Sequence, residues 1–543
     1  MFFAALVLYF VAAAAASSAS ARPNIVLILA DDLDFDYKQD RLAIMPNLKR
    51  LREEGLHLVN HVAAQPVCGP SRSSLLAGRY PHNAGYIIND GKASIAAWTR
   101  AENNTLGAWL SAAGYYTSFL GKYVNSMESH VPAGWSRWHG FSSGEGTYNF
   151  YNATLYNVAN TTTAAPPFAV EVMTGIHQSD FLGQYALRGV AEALAQAKPF
   201  YIQLNPVMVH WGTCYGPAPP GGYAPTDPHW DWTVPCPAGD PNCCPSTPAP
   251  GAPGHCAVPI DPCPSLATAH MFDGMKNPHV PAYNATESGP VPAFMRKMKP
   301  LTAWEMGRQD AGFRNRSSSA VDLDHMLGVV MDGLKTLGVA ENTHVWFTSD
   351  NGYHLGEHSM VFGKGQPYET DVRLPFYAWG PGVPRNSTQA HPTTHVDIAA
   401  TVVELAGATP VGEPLDGLSF ASVLGAAPPP PQAWRNHSFS EFFGNADTWA
   451  SLRFPLSSGR VTRAKVVQWC TNDTEVFDLT ADPWELSNIA GGGGAALLND
   501  TLPLLSALAR CKGGLCRHPQ PNGAHPLPCR TDAVAEGALL YDV

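Results

Sequence analysis

Three apolar runs in this chain end in side chains that bind cations or protons, and this restricts the fold more than any other feature. The run Ile25 to Ala30 in PNIVLILADD stops at Asp31-Asp32, KPFYIQLNPVMVH stops at His210, and THVWFTSDNG stops at Asp350-Asn351. Continuous apolar runs of this length read as strands covered on both faces, the pattern of a parallel sheet, whereas a half-exposed strand alternates. Between them stand NLKRLREEGL, TLGAWLSAAGY, ALRGVAEALAQA and AVDLDHMLGVVMDGLKTLG, which read as helices, several closed by glycine. Alternating strands and helices predict an α/β fold, a mainly parallel sheet with helices on both faces. Ligands in such folds sit beyond the carboxyl ends of the strands, so Asp31, Asp32, His210, Asp350 and Asn351 are expected to converge. The oxygen donors among them suit a hard cation, Ca²⁺ or Mg²⁺, rather than zinc. Capping of the next element would explain Asp31-Asp32 alone, but not three strand ends at once.

At 543 residues, 45% hydrophobic and 15% charged, the chain reads as globular and larger than one small core. Residues 1–21 open with MFFAALVLYFVAAAAA and end in Ala19-Ser20-Ala21, an uncharged version of a secretory signal peptide, with an uncleaved anchor as the alternative. No later stretch is long and apolar enough to span a membrane. Nine N-x-S/T sequons (Asn103, Asn152, Asn160, Asn284, Asn315, Asn386, Asn436, Asn472 and Asn499) fit a glycosylated protein. The expected location is secreted: extracellular, periplasmic or cell wall, or a lysosome-like compartment. Eleven cysteines leave at least one sulfur outside intramolecular disulfides, with Cys68 the candidate. Cys214, Cys236, Cys243, Cys244, Cys256 and Cys263 crowd a Cys/Pro-rich insertion at about 212–275, which reads as disulfide-stapled loops. Residues 22–424 form the predicted catalytic domain, the Pro-rich 425–434 a linker, and 435–543 a smaller antiparallel α+β domain with strands AKVVQWC and TEVFDLT. A net charge of −11 offers no field for nucleic acid or any polyanion, leaving FMRKMKP, Phe294 to Pro300, as the one basic patch, or simply a solvated turn.

The stretch PVCGPSRSSLLAGRYPHN puts Cys68 just before a helix beginning near Ser71, where free N–H groups and the helix dipole favour an anion. By itself this allows an activated thiolate, a disulfide or a buried structural thiol. Cys68-x-Pro70-Ser71-Arg72, followed by a helix ending in Gly78-Arg79, resembles the signature of the type I, formylglycine-dependent sulfatases. ILADDLD, TLGAWLSAAGYYTSFLGKY, KPFYIQLNPVMVHW, SDNGYHLGEHSMVFGKGQPYETDVRLPFYAWGPG and VFDLTADPWELSNIA resemble further blocks of that family, in its order.

The resemblance implies an alkaline-phosphatase-like fold and a Cys68 oxidised to formylglycine (3-oxoalanine) by a formylglycine-generating enzyme, which leaves an even ten cysteines. It implies Asp31, Asp32, Asp350, Asn351 and residue 68 as ligands of Ca²⁺, or Mg²⁺, and Arg72, Lys122, His210 and Lys364 as sulfate-binding or catalytic groups. One hydroxyl of the hydrated aldehyde attacks sulfur while His210 or Lys364 assists the departing alcohol. The second hydroxyl, once deprotonated, expels sulfate and restores the aldehyde, a step a serine has no hydroxyl to perform. Where many arylsulfatases have Gly-Lys-Trp-His, this chain has Gly121-Lys122-Tyr123-Val124-Asn125, a variant resembling the N-acetylglucosamine-6-sulfatase and extracellular heparan sulfatase branch. The usual base of the second step is therefore absent, and His354 in NGYHLGEH, or Asn125, is the expected replacement. The expected function is hydrolysis of aryl or sugar sulfate esters. The alternatives are a phosphate or phosphonate ester hydrolase of the same superfamily and a catalytically silent glycan-binding cell-wall protein.

Overall fold

A computed structural model describes residues 22–35, 41–128, 130–142, 144–212, 262–430, 433–444, 447–454 and 463–529. The expected signal peptide, residues 213–261 of the Cys/Pro-rich insertion with five of its cysteines, and part of the expected linker lie outside them.

Nine strands build the main sheet: β1 (Asn24–Ala30), β2 (Leu56–Leu58), β3 (Tyr116–Gly121), β4 (Arg137–Gly140), β5 (Val158–Ala159), β6 (Phe200–Asn205), β7 (Thr343–Ser349), β8 (Tyr377–Trp379) and β9 (Ser387–Gln389). Their order is β9-β2-β8-β7-β1-β6-β3-β4-β5. The central run β7-β1-β6-β3-β4 is parallel, and antiparallel pairings appear only towards the edges, at β7-β8, β8-β2 and β4-β5.

Strand β1 explains why this sheet is covered on both faces. All seven of its residues are buried. Val26, Ile28 and Ala30 join one core with α1 (Pro46–Glu54), α4 (Gln178–Ala195) and the long α5 (Ala303–Thr336). Ile25, Leu27 and Leu29 join the other with α2 (Cys68–Ala77), α3 (Leu106–Ala112) and α6 (His395–Ala406). Each fully buried aliphatic side chain contributes about 1.5–3 kcal/mol relative to exposure, and a one-residue slip would exchange the two faces. The register is therefore strongly specified, and it delivers the strand ends to one place.

Ala30 lies opposite Ser349, so Asp31-Asp32 emerge beside Asp350-Asn351. Gly121 at the end of β3 lies opposite Asn205, and Lys122 follows directly. Gly121 adopts φ +89, and a Cβ there would meet the Asn205 carbonyl oxygen at 2.1 Å, so only glycine permits this approach. Strand β6 stops at Asn205 rather than running on to His210: Pro206 has no N–H to continue the ladder, and a turn carries the chain to His210.

The C-terminal region is a separate antiparallel sheet, β10 (Ser438–Phe442), β11 (Trp449–Phe454), β12 (Ala464–Trp469) and β13 (Thr474–Asp478), paired in sequence order with α7 (Ala495–Leu508) alongside. Its core is continuous with Ala64, Tyr80 and Val396 of the large sheet's surroundings. Buried ion pairs join the two parts: Arg453 and Lys465 both reach Glu369, and Lys465 also reaches Glu485. Disulfides Cys470–Cys529 and Cys511–Cys516 hold this region, and Cys263 is disulfide-bonded as well. Cys68 is the free cysteine among the described residues. No helix among the described residues is long and apolar enough to cross a membrane. The basic patch at Phe294–Pro300 packs on the C-terminal sheet, with Phe294 stacked on Trp469 and Arg296 3.9 Å from Asp473.

Candidate active site

Cys68 is the first residue of α2, and every residue of that helix is buried. Its Sγ accepts from Lys364 Nζ at 2.8 Å and donates to Asp31 Oδ1 at 3.6 Å. Burial pushes the thiol well above its ordinary range, outweighing the nearby lysines. Left as cysteine, it is a protonated and poorly nucleophilic group.

The five strand-end residues do converge. Asp32 leaves β1 in a left-handed turn, φ 59. Its amide donates to Asp350 Oδ1 at 3.1 Å, and its Oδ1 accepts from Asn351 Nδ2 at 2.7 Å and from Lys364 Nζ at 2.6 Å. Asp31 Oδ2 accepts from Lys122 Nζ at 2.7 Å. Arg72, one turn along α2 from Cys68, donates Nε to Asp350 Oδ2 at 2.9 Å, places NH2 3.5 Å from Asp31 Oδ2, and gives NH1 to the Lys122 carbonyl at 3.1 Å. His210 Nδ1 donates to the Trp211 carbonyl at 2.7 Å, which turns Nε2 towards Asp32 Oδ2, 3.7 Å away.

Three buried carboxylates thus face three buried cations. Burial opposes the charge on Lys122 and Lys364, but the acidic groups around them, Asp31 foremost for Lys122 and Asp32 foremost for Lys364, together outweigh it and hold both ammonium groups charged. Burial also pushes Asp350 up, and Arg72, Lys122 and Lys364 together more than reverse this, holding it well below the usual carboxylate range. Asp31 is pushed up to about 7, first by burial and then by Asp350. His210 is held well below its ordinary value by burial, which Asp32 offsets only in part.

Ligand atoms of Asp31, Asp32, Cys68 and His210 all lie within 4.8 Å of one another. Asp32 Oδ2 and Asn351 Oδ1 are buried without a hydrogen bond among the described residues, a cost that a hard cation bound there would remove. The residues present fit such an ion. A second cluster, His82 with Cys511 and Cys516, does not, because its two sulfurs are joined to each other.

The expected replacements for the histidine missing at position 124 stand differently from one another. Val124 itself is buried in the core. Asn125 donates Nδ2 to Tyr148 Oη at 3.3 Å. His354 exchanges backbone hydrogen bonds with Gly363 at 2.8 and 3.0 Å, while its Nδ1 contacts both Asp371 oxygens at 3.0 Å. Asp371 also accepts from the Gln366 amide at 2.9 Å. His354 and Asp371 therefore grip the chain on either side of Lys364.

Of the other supporting residues, Arg316 and His395 are invisible in the sequence pattern, while Ser71 stands within the signature itself. Arg316 of α5 donates to the Asp32 carbonyl at 2.6 Å and the Val209 carbonyl at 3.2 Å, fixing the chain beside two site residues. Ser71 bridges the Asp350 carbonyl and His395 Nδ1, and His395 Nε2 donates to the Ser349 carbonyl at 3.0 Å. The only local hint is the hydroxyl of Ser71 beside Arg72.

The family model for sulfatases matches residues 23–408. The chain belongs to the sulfatase family. A second model, the C-terminal region of N-sulphoglucosamine sulphohydrolase, matches residues 356–504 of this sulfatase. An arylsulfatase of Volvox carteri is 30% identical over 538 residues, covering 92% of this chain and 76% of its own. Human N-acetylglucosamine-6-sulfatase is 27% identical, covering 92% and 86%. A protein solved with its substrate D-glucosamine-2-N,6-O-disulfate superposes with a TM-score of 0.68 at 19% identity, covering 92% of this chain and 99% of that one. The phosphonate monoester hydrolase of Agrobacterium radiobacter shares the fold with a TM-score of 0.59 at 18% identity, covering 88% and 93%. The relatives so named include an N-acetylglucosamine-6-sulfatase, the kind of sulfatase that the variant at 121–125 resembles.

Proposed function

We propose that this sulfatase is a secreted hydrolase of aryl or sugar sulfate esters in which Cys68 is converted to formylglycine by a formylglycine-generating enzyme. The observation that carries the reading is the setting of Cys68: the first residue of a buried helix, with Lys364 at 2.8 Å, Asp31 at 3.6 Å, and Arg72 and Lys122 on the same carboxylates. Asp31, Asp32, Asp350, Asn351 and residue 68 would hold Ca²⁺, with Mg²⁺ as the alternative. Such an ion, when bound, draws electrons from oxygen on residue 68 and on the sulfate. Hydrated formylglycine offers one hydroxyl for attack on sulfur and a second whose deprotonation expels sulfate.

The chain's own residues set up both steps. Arg72, Lys122 and Lys364 present positive charge to the sulfate oxygens, held in place by carboxylates so that little reorganisation is needed at reaction. His210 has its Nδ1 committed to the Trp211 carbonyl, so Nε2 is the nitrogen that faces the departing oxygen and gives it a proton only from the imidazolium form, while Lys364, held charged, stabilises that oxygen. His354 and Asp371 hold the loop that carries Lys364. The leader-like run at 1–21 and nine sequons support the secretory route, and the glucosamine disulfate of the fold neighbour together with the sugar and aryl relatives support the substrate class.

The phosphonate monoester hydrolase among the fold neighbours favours a second reading, phosphate or phosphonate ester hydrolysis. Mass spectrometry of the Cys68 peptide from protein made in a secretory pathway, with anion release from paired sulfate and phosphate esters, separates the two. Formylglycine with preferred sulfate release supports the proposal; active protein with a wholly alkylatable Cys68 refutes it.

A further inference from the structure

The rings of Tyr148, His210 and Trp211 form a patch at the edge of the anion site. Tyr148 stacks on His210 at 4.7 Å and 22° and on Trp211 at 5.1 Å and 18°, while His210 and Trp211 are 5.0 Å apart. A linear pile would place its outer rings about twice the stacking distance apart, so these rings overlap as a wall instead. Lys122 Nζ lies 4.9 Å from the Tyr148 ring centre, which ties the wall to a sulfate-binding cation as well as to the proton-transfer histidine.

Burial falls off along this wall. His210 is buried at 3% exposure, whereas Tyr148 and Trp211 are half-buried. Two large rings therefore keep part of their surface open beside the buried charges of the site. At the polar end, Asn125 donates to Tyr148 Oη, while its own Oδ1 is buried without a hydrogen bond among the described residues. An apolar surface with one unpaired acceptor, beginning at the nitrogen that faces the departing oxygen, matches the alcohol half of an ester and not the sulfate.

We infer that Tyr148 and Trp211 form a subsite that takes the ring of the alcohol, by stacking on an aryl group or on the apolar face of a sugar, with Asn125 Oδ1 accepting from a ring substituent. This rests on the sulfate-ester reading above. Trp211 is the residue to test, because removing its side chain leaves the carbonyl that orients His210.

The experiment compares wild type, Trp211→Ala and Trp211→Phe for KM with 4-nitrophenyl sulfate and for inhibition by inorganic sulfate, which fills the anion site but has no ring. Trp211→Ala should raise KM about tenfold, as expected for one lost ring stack, with the inhibition constant for sulfate unchanged and Trp211→Phe recovering most of the loss. Unchanged KM in Trp211→Ala, or sulfate inhibition weakened in parallel with KM, would overturn the subsite. Wild-type protein that neither turns over the ester nor binds sulfate would overturn the sulfate-ester reading itself, and the subsite with it.

Discussion

Lys364 places its Nζ 2.8 Å from Cys68 Sγ while the same atom lies 2.6 Å from Asp32 Oδ1. One ammonium thus joins the proposed nucleophile to a proposed metal ligand. Lys364→Ala should lower kcat/KM by about 10²–10⁴, with formylglycine formation at position 68 unaffected by mass spectrometry. Wild-type turnover in that variant would remove Lys364 from the chemistry.

Asp350 accepts from Arg72 and from the amides of Asp32 and Asn351, so it serves the electrostatics and the loop geometry together. Asp350→Asn should lose bound Ca²⁺ by elemental analysis and most turnover. Leaving Arg72 with a neutral partner should also destabilise the fold by about 3–5 kcal/mol, read as a lowered denaturation midpoint. In wild type, exhaustive chelation should abolish turnover and Ca²⁺ should restore it; full activity in verified metal-free protein contradicts the metal site.

His354 grips Asp371 and Gly363, and through them the loop of Lys364. A positioning role predicts that His354→Ala slows release of the alcohol in a single turnover, without an initial burst, and that His354→Gln recovers part of the rate. A burst of alcohol followed by slow sulfate release would instead make His354 the base that replaces the histidine absent at Val124.

The junction with the C-terminal sheet should be sensitive to pH. His82 Nδ1 lies 2.8 Å from Glu441 Oε1, and burial, which opposes its charge, is outweighed by Glu441, so His82 is raised from 6.5 to about 9. A raised value in the folded state means that the stabilisation is complete below about pH 6.5 and lost as pH rises through about 9. The shift corresponds to stabilisation on the order of 3 kcal/mol. Thermal melts of wild type and His82→Gln should differ most near pH 6 and converge by pH 10; a constant difference would assign His82 a purely packing role.

The carboxylates of the site are legible because a strand end is a local feature. An apolar run followed by Asp31-Asp32 or Asp350-Asn351 carries both its structure and its chemistry within ten residues. His210 is legible only approximately, since Pro206 ends the strand before it. Lys122 and Lys364 have no such marker, and the resemblance of their motifs to a family is what picks them out.

By itself, then, the sequence determined the alternation of strand and helix, the oxygen-rich strand ends and the exceptional cysteine, all of which depend on neighbours in the chain. Only the tertiary structure decided what stands across from them. Arg316 meets the carbonyl of Asp32 from 284 positions away, and Lys364 meets Cys68 from 296. Trp211 and Tyr148 become one surface only where two separate segments meet. Side-chain hydrogen bonds and ring stacking act within a few ångströms of space, whatever the separation along the chain. The partners of Asp32, Cys68 and His210 therefore follow from the sheet register and the packing of α2 and α5, which no local pattern encodes.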